Sequence, residues 1–137
     1  MRKDFNPKIW GPHAWFFIEN IALGYSKNPT VDEINAAYLF FTNLGKLLPC
    51  KKCRLNYEKH LINNPIDYNV LSNRESLIDW TINLHNIVNS DDRSKREVIN
   101  FYIGQYKNKN NNNNKFIIIS IIVIIIIISI IIIKNQS

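Results

Sequence analysis

Apolar residues recur every three or four positions through much of the first 106 residues of the chain. The clearest early stripe consists of Trp15, Ile18, Ala22 and Tyr25. This spacing matches the 3.6-residue period of an α-helix and places the four side chains on one face. Because a Gly-Pro pair comes just before the stripe, the pattern predicts a helix over 13–24.

Two capping signals predict where later helices begin. Thr30 is followed three residues later by Glu33, and Ser72 by Glu75, which is the capping-box pattern. An apolar stripe follows each signal. The first stripe consists of Val31, Ile34, Tyr38, Phe41 and Leu48, and the second of Leu77, Trp80, Leu84 and Val88. We therefore expect one helix after Thr30 that Pro49 ends, and another over 72–89.

Two shorter helices complete the prediction. One starts at Cys50 and runs to about residue 62, where an Asn-Asn-Pro sequence ends it. The other lies near 95–105 and offers Val98, Tyr102 and Phe101 for burial. No run of alternating apolar and polar residues is long enough for a sheet. The sequence therefore predicts an all-α fold, a four-helix bundle with a short fifth helix.

The composition changes after residue 106. Residues 107–115 read KNKNNNNNK, a polar run that cannot bury apolar area and predicts a flexible tether. Residues 116–133 carry no charge and only two serines as polar interruptions. As a helix they would be roughly 27 Å long, close to the thickness of a bilayer's hydrocarbon core. The expected organisation is a domain at 1–106, a tether at 107–115 and a C-terminal transmembrane helix at 116–133.

This organisation predicts a topology in the membrane. Four residues follow the apolar run, as in a tail anchor, and the first ten residues lack the apolar core of a secretory signal. Lys107, Lys109 and Lys115 precede the run, whereas only Lys134 follows it, in agreement with the positive-inside rule. We expect a single-pass, tail-anchored protein whose domain faces the cytosol.

The formal net charge of +6 is no evidence for nucleic-acid binding once it is divided along the chain. The four lysines that flank the apolar run supply +4 of it, and 1–106 holds 13 basic and 11 acidic residues. Without a basic patch on the domain, little counterion release is available to drive binding to phosphates. We expect no nucleic-acid partner.

Two cysteines carry the candidate chemistry, and they are the only cysteines in the chain. Cys50 and Cys53 form a C-x-x-C motif at the predicted start of a helix, next to Lys51, Lys52 and Arg54. A helix N-terminus and neighbouring cations lower the pKa of a thiol, so the motif suits a nucleophilic thiolate. The pair can also close into a small disulfide ring, as electron transfer by thiol–disulfide exchange requires.

Other uses of the motif are less favoured. A structural zinc site needs four ligands, and beyond the two cysteines the chain has only His13, His60 and His85, without a second C-x-x-C or closely spaced histidines. A structural disulfide across two residues closes too short a loop to stabilise much. A thioredoxin-type site needs a βαβ setting. We expect no metal.

Three segments of the chain stand out together: WGPHAW at 10–15, PCKKC at 49–53, and Trp80 followed by LHNIVN at 84–89. These segments resemble the signatures of ALR/Erv-type FAD-linked sulfhydryl oxidases. Their order and spacing match as well, over about 10–105. The resemblance implies a helical bundle that holds FAD, with Cys53 as the sulfur next to the flavin and Cys50 as the sulfur that exchanges with a substrate dithiol. Molecular oxygen would accept the electrons and leave as hydrogen peroxide.

The resemblance also implies which residues bind the cofactor. Trp15 and Trp80 are planar surfaces for stacking, whereas His85, Asn86 and Asn89 offer hydrogen-bonding groups. Lys95 and Arg96 are candidates for the pyrophosphate. The complete expected set is Gly11, Trp15, Trp80, His85, Asn86, Val88, Asn89 and Lys95.

The chain departs from the family pattern at two positions. The family commonly has a histidine four residues after the tryptophan of the first signature, as a partner for the adenine, and this chain has Glu19 there. Pro12 stands where an arginine often follows the glycine. A flavoprotein that has lost turnover because of Glu19 is therefore one alternative to an active oxidase. Another is a non-enzymatic, membrane-anchored helical adaptor with a metal-binding or incidental C-x-x-C.

The cysteine count bears on the partners. Many cellular members of the family carry a second, shuttle pair, which two cysteines cannot supply, so electrons must reach Cys50 directly from a protein dithiol carrier or substrate. The short architecture is similar to the sulfhydryl oxidases of large cytoplasmic DNA viruses, which implies a viral origin and a host membrane or a virion as location. Family members are often dimers, which makes a homodimer an expectation too.

Overall fold

The computed structural model describes the backbone of residues 3–135 and the side chains of residues 3–108 and 115–126. Within this part of the chain the regular structure is entirely helical. The helices are α1 (Pro7–Gly24), α2 (Val31–Leu47), α3 (Lys51–Asn63), α4 (Tyr68–Leu71), α5 (Arg74–Asn89) and α6 (Lys95–Asn135). The chain divides into two compact units, the first extending through Lys95 and the second from Arg96 onward. The prediction of an all-α class is correct for the described residues.

The first unit has α1 packed on α5 and α2 packed on α3, while the short α4 contacts both α2 and α5. α4 was not predicted, because four residues are too few to display a helical period. Its start is nevertheless capped, since the Asp67 side chain accepts a hydrogen bond from the amide of Val70 at 3.0 Å.

α1 begins six residues earlier than the sequence predicts, and Pro12 lies inside it. Asn6 caps the helix by accepting a hydrogen bond from the amide of Lys8 at 3.0 Å, and Pro7 occupies the first turn, where a missing N–H costs nothing. The predicted start at residue 13 is wrong because a proline inside a helix does not always end it. Pro12 removes only one backbone hydrogen bond from α1, the bond that an N–H at this position would donate to the carbonyl of Lys8.

The capping box of α2 is confirmed. The amide of Glu33 donates to the Thr30 hydroxyl at 3.2 Å, and the Glu33 carboxylate accepts from the amide of Thr30 at 2.7 Å. Because these hydrogen bonds satisfy amides that the first turn leaves without partners, they fix where the helix begins. The hydrogen bonds that the Glu33 carboxylate accepts from the amide of Thr30 and from its hydroxyl lower the pKa of Glu33, because they favour its charged form.

The buried face of α2 differs from the predicted stripe. Ala37, Phe41 and Gly45 are its buried residues, four positions apart, whereas Val31 and Tyr38 are exposed. Small residues permit close packing of helices, and the stripe prediction counted only large apolar ones. Phe41 was assigned correctly.

Phe41 lies at the centre of the core of the first unit and is fully buried. Its ring meets the ring of Trp80 edge-on at 5.3 Å, and its carbonyl accepts a hydrogen bond from the Tyr57 hydroxyl at 2.8 Å. Tyr57 packs so closely on α2 that a Cβ built on Gly45 would lie 2.5 Å from its Cδ1. A glycine at position 45 therefore sets the distance between α2 and α3.

α5 follows its predicted pattern except at its ends. Its N-cap is Asn73, not Ser72, and the Asn73 side chain accepts from the amide of Ser76 at 3.0 Å. The predicted apolar face is otherwise buried, with one exception: Val88, in the last turn, is exposed. Both differences lie within a turn of the predicted boundaries, where sequence patterns are least precise.

The prediction of a membrane anchor at 116–133 needs correction. In the part of the chain that the structure describes, no helix combines the length and the apolar character that a bilayer crossing requires. The described side chains of the run are 116–126, 11 residues, which as a helix are only about 16 Å long and thus about half of a hydrocarbon core. Residues 127–133 lie outside the described side chains. The expected tail-anchored location and the topology derived from it are withdrawn as well.

The backbone of α6 is helical through 107–115, where a tether was expected. In this second unit, Val98 and Tyr102 are buried as predicted, whereas Phe101 is half exposed and packs edge-on against Tyr102 at 5.1 Å.

Candidate active site

The two cysteines form a disulfide at the N-terminus of α3. Cys50 is the N-cap residue, and its sulfur accepts a hydrogen bond from the amide of Cys53 at 3.1 Å, while the two Cα atoms are 5.1 Å apart. Cys50 is buried and Cys53 is partly exposed. The predicted pairing of a redox-active motif with a helix start is present, and positive helix-end charge lies next to both sulfurs.

The segment before α1 holds the peptide that carries Cys50. The amide of Phe5 donates to the carbonyl of Pro49 at 2.8 Å, and the amide of Lys51 donates to the Asp4 carboxylate at 2.7 Å. Hydrogen bonds to this segment thus lie on both sides of Cys50. No sequence pattern indicated them, because the paired residues are more than 40 positions apart.

A second set of predicted residues meets between α1 and α5. The Trp15 indole stacks on the His85 imidazole, with ring centroids 4.4 Å apart and planes inclined by 22°. Trp15 is half-buried, so the stack is open to solvent on part of its surface. Glu19, one turn after Trp15, is buried, and its Oε1 lies 2.6 Å from Nδ1 of His85.

Arg93 joins this cluster, although the sequence did not point to it. Its Nη1 lies 3.3 Å from Oε1 of Glu19 and 3.0 Å from Nδ1 of His85. Asn86 fixes the backbone of Arg93 with two hydrogen bonds, one donated by its side-chain amide and one accepted by its side-chain oxygen. In the sequence, Arg93 could have been noticed only as an arginine shortly after the third signature, in a loop without helical periodicity.

The remaining predicted cofactor residues are placed differently. Trp80 is buried in the core, and its indole N–H donates to the carbonyl of Asn64 at 3.1 Å. Gly11 is on α1, and a Cβ there would meet no atom within 4 Å. Val88 and Asn89 are exposed at the end of α5. The structure therefore groups Trp15, which stacks on His85, and Asn86, which bonds Arg93, in one cluster, and it leaves these four residues outside that cluster.

Lys95 lies in an ion pair at the surface of α5. Its Nζ is 2.9 Å from the Glu75 carboxylate and 3.0 Å from that of Asp79. Although burial opposes the charge of Lys95, hydrogen bonds to the two carboxylates raise its pKa, and the hydrogen bond with Lys95 lowers that of Glu75. Lys95 thus has two anionic partners of its own.

Metal binding is not indicated in the described part of the chain. No group of three or more His, Cys, Asp or Glu side chains is arranged there to hold a metal ion. By contrast, the cluster around His85 offers an aromatic stack and a guanidinium, which are groups that bind planar rings and phosphates. The fold and site define an all-α domain with a helix-capping C-x-x-C disulfide and an aromatic, charged cluster between α1 and α5.

Comparison with known proteins identifies the family of this domain. The model of the Erv1 / Alr family matches residues 12–114, which is most of the chain. This chain therefore belongs to the Erv1/Alr family, and the resemblance found in its three signatures is confirmed.

Individual relatives agree with this assignment. The chain is 46% identical over 84 residues to a probable FAD-linked sulfhydryl oxidase of Acanthamoeba polyphaga mimivirus. It is 32% identical over 83 residues to the mitochondrial FAD-linked sulfhydryl oxidase of Schizosaccharomyces pombe, and 26% identical over 97 residues to that of Saccharomyces cerevisiae. These matches cover 61%, 58% and 71% of this chain, but only 59%, 43% and 50% of the relatives. The chain thus spans about half the length of the relatives it matches.

Proposed function

We propose that this protein is a FAD-dependent thiol oxidase that forms disulfide bonds in protein substrates. The observation that carries the proposal is the Cys50–Cys53 disulfide at the N-terminus of α3, in a chain of the Erv1/Alr family. The enzyme class agrees with the names of the relatives.

The reaction at the disulfide is a two-step exchange. A thiolate of the substrate attacks the sulfur of Cys50, so that a mixed disulfide forms and Cys53 leaves as a thiolate. The second thiolate of the substrate then attacks its own mixed sulfur, which closes the substrate disulfide and releases Cys50. Two electrons have now passed from the substrate to the Cys50–Cys53 pair. The helix N-terminus stabilises the negative charge that develops on the released sulfurs.

The residues clustered around His85 would bind and orient the cofactor. Bound FAD would supply the redox chemistry that returns the cysteine pair to the disulfide and passes the electrons to oxygen, with release of hydrogen peroxide. The half-buried face of the Trp15–His85 stack suits a planar ring. Nη1 of Arg93 faces Glu19, and the other N–H groups of its guanidinium would be the donors to an anionic group. Gly11 leaves space beside α1.

The substrate is a protein dithiol that reaches Cys50 without a shuttle pair, because the chain has no other cysteines. Lys51 and Lys52 are exposed next to the disulfide and would favour an acidic surface on that partner.

A homodimer is the expected assembly. Large apolar side chains are exposed on neighbouring faces of α1 and α2, where Phe17 meets Phe40 edge-on at 6.2 Å. Phe16, Phe17, Tyr38 and Leu39 are each about half exposed. Exposed apolar groups that lie together favour association, and light scattering of the purified protein will measure it.

The central experiment uses the purified full chain, loaded with FAD. We expect a yellow protein that consumes oxygen when given a dithiol. Cys53→Ser should keep the flavin bound but prevent its reduction by thiols, whereas Cys50→Ser should leave a Cys53 thiolate that gives a long-wavelength charge-transfer band. Ser76→Ala, on a different helix from the cysteines, is the control and should turn over normally.

Each alternative has its own signature. A colourless protein after incubation with excess FAD refutes the proposal and supports the helical adaptor. A yellow protein that consumes no oxygen identifies a flavoprotein without turnover. Normal turnover of either cysteine variant contradicts the roles given to the two sulfurs.

A further inference from the structure

Glu19 is a carboxylate inside the protein, with a side chain only 2% exposed. A buried carboxylate is costly unless charged or hydrogen-bonding groups face it. Here Oε1 has two such neighbours, Nδ1 of His85 at 2.6 Å and Nη1 of Arg93 at 3.3 Å. Glu19 is the residue that departs from the family pattern. Its negative charge is therefore offset by Arg93, a residue that the sequence did not single out.

Arg93 is held in place from two directions. Asn86 bonds its backbone at 2.9 and 3.2 Å, and Glu19 faces its guanidinium. Nη1 of Arg93 is almost equidistant from the two ring nitrogens of His85, at 3.0 and 3.3 Å. This geometry places the guanidinium over the ring, because a point in the ring plane at these distances would overlap Cε1.

The carboxylate also orients the imidazole. Nδ1 of His85 lies 2.6 Å from Oε1 of Glu19, and a proton on Nδ1 would be donated to that carboxylate. This contact holds the plane of the His85 ring against Trp15. A charged pair 74 residues apart in sequence thus adjoins the ring that stacks on Trp15.

We propose that Glu19 and Arg93 are a coupled pair of positioning residues, which act through His85 on the ring-binding face of the Trp15–His85 stack. Arg93 is needed because Glu19 is present, and Glu19 orients both Arg93 and His85. This inference rests on the proposed function for the identity of the ligand, FAD, but the coupling between the side chains is independent of it.

The test is a double-mutant cycle on the full chain with Glu19→Gln, Arg93→Gln and the double variant. We expect Arg93→Gln to weaken FAD binding at least tenfold, because it removes the guanidinium that faces the Glu19 carboxylate. The double variant should bind FAD more tightly than expected if the effects of the two single substitutions on the FAD dissociation constant simply multiplied. Arg93→Lys should restore part of the affinity. Glu58→Gln, which removes an exposed acid on α3, is the control and should bind as the wild type does.

Two further measurements separate positioning from general stabilisation. Ring ¹⁵N spectra of the FAD-free protein should show the Nδ1–H form of His85 in the wild type and a changed tautomer population in Glu19→Gln. Thermal unfolding of the same samples records stability alone. Additive effects on the FAD dissociation constant, an unchanged tautomer, or a lowered Tm with unchanged affinity would each overturn the inference. If the wild type binds no FAD, the proposed function fails, and the cycle measured by Tm and ¹⁵N spectra still decides the coupling.

Discussion

Replacement of Gly45 by alanine tests how closely α2 and α3 must approach. The new Cβ would lie 2.5 Å from Cδ1 of Tyr57, and 3.1 Å and 3.3 Å from its Cγ and Cβ. Ordinary contact begins near 3.4 Å, so the helices or the ring must move by 3.4 − 2.5 = 0.9 Å. The ring cannot turn away easily, because Tyr57 is 5% exposed and its hydroxyl is bonded to the carbonyl of Phe41.

The expected magnitude combines two opposing effects. Overpacking of a core costs about 2 kcal/mol, within the usual range of about 1–3 kcal/mol. Alanine in place of glycine inside a helix contributes about 1 kcal/mol of stability. We therefore expect Gly45→Ala to lower the free energy of unfolding by about 1 kcal/mol, which corresponds to a fall in Tm of about 4–8 °C for a domain of this size.

The assay is thermal and urea unfolding of the wild type and two variants. Gly24→Ala is the matched control, because a Cβ at that helix end meets no atom within 4 Å. It should leave Tm unchanged or slightly higher. Because Cys50 caps α3 and Cys53 lies in its first turn, Gly45→Ala should also slow thiol oxidation. A Gly45→Ala protein as stable as Gly24→Ala would refute the reasoning.

Two other predictions follow from hydrogen bonds of the same helices. Glu33→Gln should remove part of the acid sensitivity of the domain. The pKa of Glu33 is held below its ordinary value of 4.5 by Thr30, so the stabilisation is complete above that value and is lost as the pH falls below it. Unfolding between pH 5 and pH 2.5 should show a smaller loss in the variant, and parallel curves would contradict this. Tyr57→Phe should cost about 1 kcal/mol, because it removes the bond to Phe41 and keeps the ring; an unchanged urea midpoint would show that this bond contributes nothing.

Local patterns predicted local structure well. The capping box of Thr30 and Glu33 and the C-x-x-C at a helix start depend on residues within one turn of each other, and both are present. Gly45 shows the limit of the same approach. Gly45 lies on the buried face of α2 because α3 packs closely against it there, and no pattern in the neighbouring sequence indicates this close packing.

The site was predicted only in part, for a related reason. The signatures identified His85 and Asn86, but the contact of Glu19 with Arg93 joins residues 74 positions apart. Arg93 follows a helix that ends in the left-handed region at Ser90, with φ of 54°. The direction of the loop after α5, and therefore the placement of Arg93, depends on the turn at Ser90 and on the hydrogen bonds of Asn86. Neither feature can be recognised from the periodicity of the sequence.

The hydrogen bonds on both sides of Cys50 have a consequence for the lifetime of covalent complexes. With Pro49 and Lys51 both tied to the segment before α1, opening of the disulfide leaves the two cysteines on a backbone that stays close to its closed geometry. The effective molarity of the Cys53 sulfur toward a partner attached at Cys50 is then high. An adduct at Cys50 should therefore be released quickly in the native chain by attack of the Cys53 thiolate. It should persist longer in Cys53→Ser, where the Cys50 thiolate can form it by attacking the disulfide of an oxidised partner.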